Sequence, residues 1–135
     1  MELKEEVNCA APGAEILCAA TVLTLKSYRF IPSFMRLSMQ IVSQLKQSDG
    51  LIRYAVKTDI PCKTFRTFSV WMSLEHMRNF VGSEPHRTAV ARIGEWRDTD
   101  GIATVEWNEQ SDKTLDWREI DERLKDPTYL STRLD

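Results

Sequence analysis

The chain has 135 residues, 42% of them hydrophobic and 28% charged, which sizes it for one folded domain and argues against a disordered or membrane-embedded class. Its formal net charge of −2, with acidic and basic residues interspersed, offers no basic face for nucleic acid. Cys9, Cys18 and Cys62 form neither a CxxC pair nor a metal-ligand spacing, so reduced thiols and no structural metal are expected. The most apolar run, residues 16–25, is far short of the ~20 residues that span a bilayer. The opening Glu2, Lys4, Glu5 and Glu6 do not read as a basic leader. A cytoplasmic protein without a membrane or nucleic-acid partner is the expectation, with residues 1–14 a flexible arm.

Residues 16–27 are apolar at both alternating phases, so they predict a strand buried on both faces. Residues 31–48 follow as a helix, with Pro32 tolerated in its first turn and Asp49-Gly50 ending it. Phe34, Met35, Leu37, Met39, Ile41, Val42 and Leu45 fill an arc roughly 200° wide, broader than one core contact requires. In residues 51–60, Ile52, Tyr54 and Val56 alternate with Arg53, Ala55 and Lys57, a strand with one buried face. After a Pro61-Cys62-Lys63 turn, residues 64–72 are apolar on both sides, Phe68, Val70 and Met72 opposing Phe65 and Trp71. Ser73 is placed to cap a short helix that ends at Gly82, and Ser83 to cap another reaching Trp96. Asp98-Thr99-Asp100-Gly101 reads as a turn before a last strand, residues 102–108, with Ala103, Val105 and Trp107 on one side. Asp116-Trp117-Arg118-Glu119 has capping-box spacing for a final helix, Trp117, Ile120 and Leu124 forming its apolar side.

This order, β-α-β-β-α-α-β, defines an α+β chain. Strands one and three are two-sided and strands two and four one-sided, as a ferredoxin-like antiparallel sheet of order 4-1-3-2 demands. Residues 15–110 make up that domain, and residues 111–135 a C-terminal helix and tail. Helices can cover only one face of such a sheet, so the apolar residues of the other call for a second layer, most economically a second copy of the chain.

His86 is the foremost candidate for chemistry. It lies in the apolar arc of its helix, and in the first turn, where the helix dipole favours a neutral ring. Such a ring can act as a general base, a haem ligand or an orienting hydrogen-bond donor; it can equally be a core histidine bonded to a carbonyl. His76 reads as a surface residue, and Cys62 as an exposed thiol without a nucleophile's setting. Met35 and Met39, at one edge of the first helix's wide arc, suit an adaptable apolar site, with Tyr54, Phe68, Trp71 and Phe80 as walls. The ligand such walls fit is an apolar aromatic or polyene-sized molecule. Glycine-rich nucleotide loops and GxSxG are absent.

Trp71-Met72-Ser73-Leu74-Glu75-His76-Met77-Arg78-Asn79-Phe80, followed by Ser83-Glu84-Pro85-His86-Arg87-Thr88-Ala89, resembles the dimeric ferredoxin-like proteins. That group includes the antibiotic biosynthesis monooxygenases and the small haem-degrading monooxygenases, and the pattern looks most similar to its spheroidene monooxygenase-like branch. The resemblance implies a dimeric α/β barrel with sheets packed face to face and a pocket between helices and sheet. It also implies oxygen-dependent chemistry on large apolar molecules, in some members without a cofactor and in some with haem. The haem-degrading members carry Asn, Trp and His where this chain has Thr21, Phe80 and Val90, which argues against haem degradation by their mechanism; no cofactor is expected, with haem on His86, one helical turn before Val90, left as the alternative. Two functions stay open: a monooxygenase-like enzyme acting on an apolar aromatic or isoprenoid molecule with His86 as its catalytic group, or a non-catalytic dimeric ligand-binding or stress-associated protein.

Overall fold

A computed structural model describes residues 2–7, 13–84, 86–110, 116–125 and 129–130. Its strands are β1 (Glu2–Glu6), β2 (Glu15–Leu25), β3 (Leu51–Asp59), β4 (Thr64–Trp71), β5 (Arg97–Gln110) and β6 (Tyr129–Leu130). Its helices are α1 (Ile31–Lys46), α2 (Leu74–Val81), α3 (His86–Trp96) and α4 (Trp117–Leu124). All strands pair antiparallel in one sheet of order β1-β3-β4-β2-β5-β6. The inner four are the 4-1-3-2 arrangement expected from the burial pattern, with a short strand added at each edge.

The helix ends follow local chemistry. Ser73 and Asp116 have extended backbones, and their side chains accept from the amides of His76 and Glu119 at 3.2 and 3.0 Å, satisfying donors that the helix leaves unpaired. Ser83 does not cap α3: its hydroxyl donates instead to the Phe80 carbonyl at 2.9 Å, closing the end of α2. Gly50 turns the chain into β3 with φ +82°, and a Cβ there would lie 2.2 Å from the His76 ring. Both the conformation and the close approach require glycine. His76 is thus a packed side chain, with Nδ1 2.6 Å from the Ser73 hydroxyl.

Two elements depart from the sequence expectation. Glu2–Glu6 is an edge strand rather than a flexible arm; Glu5 accepts from the Tyr54 hydroxyl at 2.8 Å and lies 3.3 Å from Lys46 Nζ. Residues 8–12 lie outside the described residues. The expected turn at Asp98–Gly101 is part of β5, where the register against β2 shifts between Leu23 and Leu25 and absorbs the extra residues as a bulge.

The sheet's two faces carry separate cores. On one, Ile16, Cys18 and Ala20 of β2 join Phe68 and Val70 of β4 and Val105 of β5, covered by Ile120 and Leu124 of α4. Ile52 and Ala55 also pack here. The sequence alternation placed Ile52 with Tyr54 and Val56, but a register shift between Leu51 and Arg53 moves it to the opposite face. Polar contacts seat α4: Arg66 donates to Asp121 at 2.9 Å, Trp117 Nε1 donates to Glu2 at 3.1 Å, and the Arg123 guanidinium lies 4.5 Å from the Trp107 ring centroid. A helix of the same chain therefore supplies cover on the face where a second copy was expected.

The other face carries α1, α2 and α3 over two clusters. One holds Leu17, Leu45, Leu51, Tyr54, Trp71, Met77 and Phe80. The second, at the other end of the strands, holds Leu23, Leu25, Phe34, Phe65, Trp96 and Ile102.

Candidate functional site

The interval between these two clusters is the feature of interest. Strand alternation puts Val56, Thr67, Thr21 and Thr104 in one row across β3, β4, β2 and β5, on the side facing α1 and α3. The next row is Tyr54, Ser69, Ala19 and Glu106. Thr21 and Thr104 share a hydroxyl–hydroxyl hydrogen bond of 3.1 Å, and Ser69 accepts from Trp71 Nε1 at 2.8 Å. Thr67 is exposed although β4 lies between two neighbouring strands, and Thr21, Ala19, Ser69, Thr104 and Glu106 are only half-buried.

α1 contributes Phe34, Met35 and Leu37 to one cluster and Ile41, Val42 and Leu45 to the other. α3 runs from His86, beside Phe80, to Trp96 in the second cluster. Both helices thus extend along the interval without closing over Thr67. The result is a recess with a hydroxyl- and carboxylate-bearing floor and an aromatic cluster at each end. At one end Trp71 packs on Phe80 with centroids 5.4 Å apart; at the other Phe34 packs on Phe65 at 4.4 Å.

His86 stands where α2 gives way to α3. Its ring meets the edge of Phe80 at 5.0 Å and 62°, and its amide donates to Gln44 Oε1 at 3.2 Å. Gln44 also donates from Nε2 to the Phe80 carbonyl at 3.2 Å and is bonded to the Ser83 hydroxyl, so α1 is tied to the α2–α3 junction. Nδ1 of His86 is buried with no hydrogen-bond partner among the described residues. Burial pushes the imidazole below its ordinary range, against a smaller opposing effect of a hydrogen bond with the Val81 backbone. That direction favours the neutral ring, through burial rather than the helix position from which it was expected. On the outer side of Gln44, an open groove of about 610 Å³ is lined by Gln40, Ser43, Gln47 and Glu84 among others; it lacks the apolar walls that the aromatic ligand would need.

The anticipated wall residues divide. Tyr54, Trp71 and Phe80 come together, at 2%, 0% and 9% exposure, as one end of the recess, and His86 joins them through Phe80. Met35 is half-buried in the cluster at the opposite end. Met39 is 64% exposed and belongs to neither cluster among the described residues. Phe68 belongs to the α4-covered core, stacked at 6.0 Å on Trp107, because three positions along a strand reverse the direction of a side chain from that of Trp71. Thr21, Thr67, Ser69, Thr104 and Glu106 were not anticipated. Their signal was a run of small or polar residues in the phase of β2, β4 and β5 that faces the helices.

For haem, the compared positions do not fit: Thr21 is engaged with Thr104, and Phe80 is packed on Trp71. The side chain of Val90 is outside the described residues. Among the described residues, buried Cys18 and exposed Cys62 are in no disulfide, and the Cys62 thiol is pushed up by the neighbouring Asp59 carboxylate.

The architecture is a ferredoxin-like fold, similar to that of several solved structures described as monooxygenases or oxygenases. A candidate monooxygenase from Fusobacterium nucleatum superposes with a TM-score of 0.67 over 80% of this chain and 48% of its own length, at 13% identity. This chain thus spans about half of that protein. SnoaB, a cofactor-independent oxygenase from Streptomyces nogalater, gives 0.53 over 76% of this chain and 97% of its own, at 10% identity. A candidate antibiotic biosynthesis monooxygenase from Nitrosomonas europaea gives 0.62 over 75% and 94%, at 9% identity. At such identities the likeness is one of fold. By sequence, residues 34–129 match the family described as a domain of unknown function, DUF3291, and the chain belongs to that family. No curated protein matches it. Among the described residues, no helix is long and apolar enough to cross a membrane.

Proposed function

We propose that the chain is an oxygen-dependent, monooxygenase-like enzyme whose apolar aromatic or isoprenoid substrate enters the recess between α1, α3 and the sheet. The observation that carries this reading is exposed Thr67 on an inner strand, between two aromatic clusters on the helix-covered face. A filled core would close that position; an aromatic-ended opening with a few polar groups suits a small apolar ligand. His86 supplies the catalytic group. A neutral imidazole at the wall can take a proton from an activated O–H or C–H of the substrate, and the electron-rich anion left behind is open to attack by dioxygen. The fold shared with SnoaB and the two candidate monooxygenases supports the assignment.

Dioxygen uptake tests it. Hydroxylated naphthalenes and short polyenes that bind the protein are expected to raise uptake above the protein-free rate, with a loss of about a hundredfold or more in H86Q, the contribution typical of a positioned acid–base group. Uptake equal with and without protein, for a compound that binds, defeats the enzymatic reading. One observation favours the second function, a non-catalytic ligand-binding protein: Tyr54, Trp71 and Phe80 are packed tightly against one another, as in a structural core. A homodimer through the α4-covered sheet face is also proposed, with α4 in the interface. Sedimentation equilibrium showing a monomer at micromolar concentration retires it.

A further inference from the structure

We infer that Glu106 sets the specificity of the recess: it accepts a hydrogen bond from a hydroxyl or amino group on an apolar ligand and turns away ligands that carry a carboxylate. The inference rests on the recess being a ligand site and deepens that reading. Glu106 lies opposite Ala19 in the register of β5 on β2, two residues from Thr104 on the same side of the strand. Thr104 is bonded to Thr21, which fixes that side as the floor of the recess. The opposite phase of β5 holds Val105 and Trp107 in the α4-covered core, so Glu106 is committed to the helix-facing side.

Its neighbours in the row, Ala19 and Ser69, are small, and the carboxylate is the group of longest reach on this part of the floor. Glu106 already has a contact within the chain. A carboxylate nevertheless offers about four lone-pair sites, so further donors can be accommodated. Thr21, Thr67, Ser69 and Thr104 can donate or accept and discriminate little by themselves. Glu106 is the acceptor-only group among these floor residues, and a carboxylate attracts a donor and repels an anion. The ligand class is therefore an apolar, aromatic-sized body bearing an O–H or N–H donor.

The test uses naphthalene, 2-naphthol and 2-naphthoate, three probes of one shape, titrated calorimetrically into wild type and E106Q. Wild type is expected to bind 2-naphthol at least about tenfold more tightly than 2-naphthoate, the scale of a hydrogen bond to a charged group. E106Q should lose most of that preference while binding naphthalene as wild type does. An undiminished preference in E106Q overturns the role of Glu106 and leaves the recess standing, provided naphthalene or 2-naphthol binds. If wild type binds none of the three, the recess reading fails and this inference fails with it. Loss of naphthalene binding in E106Q also overturns it, since Glu106 would then be holding the recess together rather than choosing its ligand.

Discussion

Truncating Ile120 to alanine tests whether α4 is a working part of the fold. Ile120 is 2% exposed and sits with Leu124 over Ile16, Cys18, Ala20, Phe68 and Val105. The substitution removes three buried carbons, each worth about 0.8 kcal/mol in transfer, so the loss starts near 2.4 kcal/mol. The cavity left behind raises the expectation toward the ~2–5 kcal/mol typical of such truncations. Because α4 has only eight residues, it can settle toward the sheet and recover part of that cost, so about 2–3 kcal/mol is expected. Urea unfolding of wild type and I120A, with the midpoint shifted and the slope unchanged, reads this value. The control is R118A, an exposed position on the outside of the same helix, expected within ~0.5 kcal/mol of wild type. A loss below about 0.5 kcal/mol in I120A would show that α4 does not cover the sheet.

Replacing His86 with alanine removes the Phe80 contact and the hydrogen bond with the Val81 backbone and should cost about 1–2 kcal/mol; a loss of ~3–4 kcal/mol in denaturant unfolding would make it a core histidine. His86 also gives a pH signature. Its folded-state value lies below the ordinary one, so the unfolded chain binds the proton first, and stability should decline as pH falls from the ordinary value near 6.5 through the lower folded value. Unfolding free energies of wild type and H86Q between pH 7.5 and 5 should therefore diverge, wild type falling more steeply; parallel curves would refute a buried neutral imidazole. Tyr54, pushed up to about 12 chiefly by burial and next by the Glu5 carboxylate, should ionise well above the ordinary value near 10 in an alkaline absorbance titration, a phase that Y54F lacks. Stability should fall as pH rises past 10, where the unfolded phenol ionises first, and Y54F should lack that part of the loss. G50A should destabilise the protein by more than 1 kcal/mol because of its positive φ and the His76 ring, and an unchanged melting temperature would contradict that packing.

The inner sheet was legible because burial and strand number agreed: residues apolar at both phases of β2 and β4 belong only to central strands. Ser73 and Asp116 were legible because a cap is a local hydrogen bond. β1 was not, since its charged residues read as solvent-exposed chain. It is secured by partners 49 and 115 positions away, Tyr54 and Trp117, that no local pattern displays. The shift that moves Ile52 to the α4 side comes from the way β3 meets β4, so alternation within β3 alone pointed the wrong way.

The site was legible in part for the same reason. Tyr54, Trp71, Phe80 and His86 were recognisable as large or titratable side chains on inward phases. Phe68 was grouped with them on chemistry, although its phase in β4 already separated it from Trp71. Thr67, Ser69, Thr104 and Glu106 look like ordinary solvent-facing strand residues until the register aligns them with Thr21 and Ala19 beneath α1 and α3.

Filling the recess shows whether this face of the sheet holds a ligand. Thr67 is exposed, so T67W should place an indole over the floor without removing buried surface, leaving the melting temperature within a few degrees of wild type. Calorimetric titration with 2-naphthol is then decisive. The recess predicts binding to wild type and at least tenfold weaker binding to T67W. Equal affinity in the two proteins, or no binding to wild type, would contradict it.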